Sequence, residues 1–157
     1  MFFQRDHNAP HVRPKAEVVI RRGESLLLVE SADLATNEPF LYPPGSDVIF
    51  GQYAAQVVQS TVARMIGHGL TDIAYFATLE SLYRRHGQRR HEVALIFTAR
   101  FANEHSYGEP SFYVQSGGNT ARGSWHDVEQ LASSPESLQP NGLYALLEQS
   151  WDNVPTP

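Results

Sequence analysis

The segment RRHGQRR, residues 84–90, places four arginines in seven positions. That charge density suits phosphate oxygens, because guanidinium groups grip them through paired N–H donors. The same composition also describes a solvated hairpin tip. With no aromatic platform interleaved and a net charge of −5 over the chain, a nucleic-acid partner is not expected. Phe40, Tyr42 and Tyr83 could stack on a planar ligand, although aromatic residues in such loops also serve as core plugs. The seven histidines, at 7, 11, 68, 86, 91, 105 and 126, include no H-E-x-x-H, and the one H-x-x-x-H spacing, His7 and His11, is interrupted by Pro10. They read as solvated surface residues rather than a transition-metal site.

The stretch PPGSDVIFGQYAAQVVQSTVARMIGHGL, residues 43–70, joins a proline-glycine turn to an amphipathic helix that carries no carboxylate. There is no phosphate-binding Walker loop, dinucleotide fingerprint or G-x-S-x-G elbow, and Ser60 has no neighbouring base in sequence to activate it. The chain has no cysteine, which excludes disulfides and thiolate chemistry and fits a cytoplasmic location.

These residues need a scaffold, and 157 residues with 41% hydrophobic content are enough for one sizeable core. The expectation is a single domain over 1–157, with residues 1–12 as an N-terminal arm and 150–157 as a tail. No stretch is apolar enough to cross a bilayer, and the N-terminus MFFQRDHNAPHVRPK does not read as a signal peptide, so no membrane partner is expected. KAEVVI and LLLVES, around RRGES, predict a hairpin. ADLATNEPFLYPPGSD predicts a loop, because Pro39, Pro43 and Pro44 remove backbone donors.

Ala54, Val57, Val58, Thr61, Val62, Met65 and Ile66 recur at helical spacing, predicting a helix over 52–66 ended by Gly67 and Gly69. DIAYFATLESLYRR and RHEVALIFTARF predict two paired strands. In the second, Val93, Leu95 and Phe97 alternate with Ala94 and Ile96. YVQSGGNTARGSWHD predicts a loop leading to a short strand over 123–125, and a helix follows over about 141–149 before a frayed end at 155–157. This order gives an α+β domain in which helices sandwich a mixed sheet.

In this order the segments resemble the Nudix hydrolase superfamily. RPKAEVVIRRGESLLLVES is similar to that family's opening hairpin, LYPPGSDVIFGQ to its proline-glycine turn, and LESLYRRHGQRRHEVALIFTARF to the strand pair that carries E-N-x-F and H-E-U. GSWHDVEQLASSPESLQPNGLYALLEQ is similar to its closing Trp strand and P-x-x-L helix. Together these cover residues 13–149. The resemblance implies a Nudix-like α/β/α sandwich with a mixed central β-sheet, a nucleotide or other phosphorylated small molecule as partner, and a possible homodimer.

The family's signature, G-x5-E-x7-R-E-U-x-E-E-x-G-U, falls on this chain with its chemistry replaced. Its first glycine falls on Ser46 and its first glutamate on Gln52. Its R-E pair falls on Ser60 and Thr61, and its E-E pair on Arg64 and Met65; only Val62 and Gly67 match. In the family those glutamates hold Mg²⁺ or Mn²⁺ against a diphosphate. Here the box is degenerate. Thr61 and Met65 keep the one-turn spacing but offer a hydroxyl and a thioether, and Arg64 adds positive charge where a cation would sit. A divalent cation contributes several kcal/mol to phosphoryl chemistry, about 1.4 kcal/mol per tenfold in rate, so the usual hydrolysis is not expected. Arg64 could instead pair directly with a phosphate.

By the same resemblance, Glu80 and Glu92 are the catalytic candidates, facing the cleft together with His91. Arg13, Tyr42, Arg64 and Tyr83 are the substrate-binding candidates. Three readings follow. One is a pseudoenzyme that binds a nucleotide. Another is a divergent pyrophosphohydrolase, using Mg or Mn held by Glu80, Glu92, Asp47 or the 103–109 loop. The last is a scaffold for dimerisation or partner contact.

Overall fold

The run AEVVI is apolar on both sides of the chain except at Glu17, the pattern of a strand covered on both faces. In the computed structural model, which describes residues 10–116 and 118–157, it lies in β1 (Val12–Val19), inside a four-stranded sheet. The strand order is β5 (Gly45–Asp47), β1, β7 (Gln88–Phe101), β6 (Leu70–Arg85). β1 and β7 run parallel, whereas β1–β5 and β6–β7 are antiparallel, so the sheet is mixed as expected. A second sheet has the order β2 (Arg21–Arg22), β3 (Ser25–Ala32), β9 (Asn119–Asp127), β8 (Ser111–Ser116), with β4 (Pro39–Tyr42) also paired to β3.

The opening hairpin is shorter than its sequence suggests. Only Arg21 and Arg22 pair with Leu26 and Ser25, around Gly23 at φ 58°, and beyond that β1 and β3 part into different sheets. Two segments expected to be loops contain strands. In the first, Pro39 opens β4 and Pro43–Pro44 follow its end, positions where a missing N–H costs no ladder bond. In the second, buried Phe112 and Val114 flank exposed Tyr113, a period-two pattern that pairs β8 with β9 across a glycine-containing turn.

Alternation on the central strands feeds two core layers. Ala16, Val18, Leu27, Val29 and Phe97 pack on one side with Val57, Val58, Val62 and Ile66 of the first helical segment. Val19, Leu26, Leu28, Ala94 and Ile96 pack on the other with Leu143 and Leu147 of α4 (Leu143–Ser150). The result is the expected α/β/α sandwich. The first helical segment comprises α1 (Ala54–Gln56), a π-helical stretch Val57–Val62 and α2 (Ala63–Ile66). Gly67, at φ 82°, ends it with N–H bonds to Ala63 and Arg64 carbonyls. A short α3 (Val128–Leu131) follows β9.

Beyond α4 the chain is docked. Val154 is buried, Arg21 Nη1 donates to the Trp151 and Val154 carbonyls at 2.9 and 3.2 Å, and Trp151 Nε1 donates to Glu24 at 2.8 Å. Of the N-terminal arm, residues 1–9 lie outside the described residues, and Val12 already belongs to β1. Among the described residues no helix is long and apolar enough to cross a membrane.

Candidate functional site

A cleft of about 380 Å³ opens over one face of the four-stranded sheet, lined by residues of β5, β1, β7 and β6. Arg13, Lys15 and Glu17 project into it because residues two apart on a strand share a face. The strand register adds the neighbours: Glu92 lies opposite Arg13, Asp47 opposite Lys15 and Gly45 opposite Glu17. Tyr83, Arg85, His86 and Arg90 from the β6–β7 hairpin form one wall, and Phe40 and Tyr42 of β4 contribute another.

The arginine-rich tip is therefore part of a built wall rather than only a solvated turn. His86 and Gly87 take positive φ at 53° and 77°, which reverses the chain in two residues. Asp33 fastens this turn to the β3–β4 connection. Its carboxylate accepts the His86, Ala35 and Thr36 N–H groups at 3.0, 2.8 and 3.2 Å, and these bonds, led by that of His86, hold its pKa below the usual value. The Leu34 N–H in turn donates to His86 Nδ1 at 2.9 Å. Arg85 lies 3.9 Å from Asp33, with its guanidinium 3.5 Å from the centre of the Phe40 ring and 5.2 Å from that of Tyr83. It thereby orients two aromatic faces.

Glu92 lies in the cleft with Lys15, whose Nζ is 3.9 Å away, and with Tyr83. Burial first, then the interaction with the Glu92 carboxylate, pushes the Tyr83 pKa up. Burial also raises that of Tyr42. Glu17 is the most perturbed carboxyl of the cleft. Only 4% of it is exposed and its Oε2 has no hydrogen-bond partner. Burial raises its pKa to about 7, opposed by Lys15 and assisted by Glu92. Leaving such an oxygen unpartnered costs roughly 1–3 kcal/mol.

The structure sorts the residues expected from sequence. Arg13, Tyr42, Tyr83 and Glu92 are brought together in the cleft, with Phe40, Ser46 and Asp47 also lining it. Glu80 does not join them. It pairs with His91 Nε2 at 2.7 Å and lies opposite Val93, on the other face of the sheet from Glu92, so the expected convergence of Glu80, His91 and Glu92 does not occur. Gln52, Ser60, Thr61, Arg64 and Met65 do not line the cleft. Gln52 accepts the Ile49 N–H through its amide oxygen, Ser60 Oγ donates to the Gln56 carbonyl at 2.7 Å, Met65 packs on the core and Arg64 is exposed.

Several histidines are structural rather than simply solvated. His68 bonds Ser106 at 2.8 Å and packs on Phe101 and Phe112, and His126 meets Ser124 at 2.9 Å. The 103–109 loop is mostly a 3-10 turn, Glu104–Gly108, capped by Asn103. Lys15 and Glu17 were not singled out from sequence. The available signal was a lone glutamate inside an otherwise apolar strand.

A divalent cation does not fit the donors on the first helical segment and at Gln52 just before it. An amide, two hydroxyls, a guanidinium and a thioether at 52, 60, 61, 64 and 65 are not the hard anionic oxygens that Mg²⁺ or Mn²⁺ requires. Among the described residues, no three His, Cys, Asp or Glu side chains group closely enough to hold a metal ion.

Two sheets between helical layers, joined by a proline-glycine turn into the first helix, make this the Nudix fold. Similar solved structures are a NUDIX hydrolase from Nitrosomonas europaea (TM-score 0.66, 15% identity, covering 95% of this chain and 93% of that one) and a MutT NUDIX hydrolase from Burkholderia pseudomallei (0.61, 18%, 88% and 98%). An ADP compounds hydrolase is also similar (0.62, 14%, 92% and 75%). No protein-family model matches the sequence, and no curated protein matches it.

Proposed function

We propose that this chain is a Nudix-fold binding protein for a nucleotide or related phosphorylated, planar small molecule, with the usual metal-dependent hydrolysis lost. The observation that carries the reading is the pairing, in one cleft, of Arg13, Lys15, Arg85 and Arg90 with Phe40, Tyr42 and Tyr83. The cations suit phosphate and the rings suit a flat group. The replaced helix residues support loss of turnover, and the ADP compounds hydrolase among the similar structures supports the ligand class. The reading also includes a cytoplasmic location, supported by the lack of cysteine, and a homodimer, by analogy with the family.

The test is calorimetric titration of ADP-ribose into the wild type, Arg13→Ala and Arg64→Ala. Binding that weakens about tenfold in Arg13→Ala and stays within twofold in Arg64→Ala supports this cleft. The reverse order would move the site to the helix. No heat with any member of a nucleoside diphosphate panel would leave the scaffold reading.

A divergent hydrolase ranks second, favoured by the presence of Asp47 and Glu92 in the same cleft. It predicts turnover that vanishes in Glu92→Gln.

A further inference from the structure

Glu17 is left over when the contacts around the cleft are assigned. Lys15 and Tyr83 occupy Glu92, Asp33 fastens the hairpin, and the arginines offer charge to an anion. Glu17 is 4% exposed, its Oε2 is itself closed to solvent and has no partner, and the residue still lines the cleft beside Tyr42. The fold makes room for it. Gly45 stands directly across β5, where a Cβ would come within 2.6 Å of Glu17 Cγ. A glutamate serving only as core filling would be replaceable by an apolar side chain at lower cost, since a buried carboxyl needs a hydrogen-bond partner. The groups around it are Lys15 on its own strand, Glu92 on β7, Tyr42 on β4 and, opposite Lys15, Asp47 on β5.

We propose that Glu17 is a specificity-determining residue of the cleft, hydrogen-bonding the edge of a heteroaromatic ring that presents an N–H donor beside an acceptor nitrogen. The adenine and cytosine edges are of this kind. A protonated carboxyl has the complementary pair, one O–H donor and one carbonyl acceptor. Its pKa near 7 keeps much of it protonated at neutral pH, so the pairing requires no buried anion. The cations then take the phosphates and the aromatic residues take the ring face. This rests on the nucleotide-binding reading above and adds which part of the ligand is read, and by what.

The experiment is titration of ADP, CDP and inorganic pyrophosphate into the wild type, Glu17→Gln and Glu17→Leu between pH 6 and 8. The expected result is that at pH 6 ADP or CDP binds the wild type at least tenfold more tightly than pyrophosphate, and that Glu17→Leu loses most of that margin. Glu17→Gln, which keeps a donor and an acceptor but does not titrate, should retain the margin. The wild type alone should lose it as pH rises past 7, and comparison with the glutamine variant cancels the titration of the phosphates themselves. Equal margins in the wild type and Glu17→Leu would overturn the role of Glu17 while leaving the phosphate cleft standing. Absence of binding by all three compounds to the wild type would overturn both readings, and thermal denaturation of each variant separates lost binding from lost folding.

Discussion

Glu17 and Gly45 face each other across β1 and β5, and the absent side chain of the glycine is what lets the buried carboxyl lie where it does. A Cβ at position 45 would also stand 2.8 Å from the Ala16 carbonyl oxygen and 3.3 Å from Glu17 Cα. Backbone at that distance cannot be relieved by a rotamer change. Gly45→Ala is therefore expected to destabilise the fold by about 1–3 kcal/mol. It should also weaken nucleotide binding, because β5 must move away from Glu17. A melting temperature equal to wild type would contradict this packing.

The raised pKa of Glu17 has a definite consequence for stability. Its carboxyl shifts from an ordinary value of 4.5 in the unfolded chain to about 7 in the fold. Between those values the folded state binds more proton, so stability declines as pH rises through the window. The penalty is absent below it and complete above it, and amounts to about 3 kcal/mol. Urea denaturation from pH 4.5 to 8 should show this decline in the wild type and a flatter profile in Glu17→Gln, which should be the more stable protein at pH 8. Asp33, whose pKa is lowered, has the opposite sign and contributes stability that is lost only as pH falls into the carboxylate range.

Asp33→Ala should release the hairpin wall without unfolding the sheets. The amides of Ala35, Thr36 and His86 lose their acceptor. Faster hydrogen exchange at those three positions, with unchanged protection at Val18 and Ile96, is the expected pattern. Uniform protection throughout would mean that Asp33 does not hold the turn.

Arg85→Ala removes the cation from the Phe40 and Tyr83 faces and from Asp33. ADP-ribose should then bind about fivefold to twentyfold more weakly, through lost charge and a looser aromatic wall. Lys at this position should recover only part of the loss, because an ammonium does not stack as a planar guanidinium does. Full recovery by Lys would assign the effect to charge alone.

Much of the architecture was legible in the sequence because it follows from periodicity. The alternation of Leu95 and Phe97 with Ala94 and Ile96 predicts two core layers, and the helical recurrence of Val57, Val58, Val62 and Ile66 predicts one packing face; both are present. Short edge strands were not legible. Pro39–Tyr42 is hidden by prolines that act at its ends, and Ser111–Ser116 by the glycine turn that in fact joins it to β9.

The cleft was legible in part. Arg13, Glu92 and Tyr83 are adjacent only through the parallel pairing of β1 with β7 and the register of β6, and Tyr42 joins them from β4 of the other sheet. A local pattern does not encode such long-range pairing, and the resemblance to a known fold supplied it. The same carry-over led to Glu80, where a two-residue strand period puts the side chain with His91 on the far face. Glu17 could be seen as an oddity in sequence, but its lack of a partner is a property of the packed structure.

The central claim is that the fold binds a nucleotide-like ligand without the metal chemistry of the helix. It is tested most directly by calorimetric titration of ADP-ribose in EDTA and again in Mn²⁺, with product analysis of each sample. The expected result is saturable binding of similar affinity in both conditions and intact ADP-ribose at the end. Binding only with Mn²⁺, or release of AMP and ribose phosphate, would contradict it.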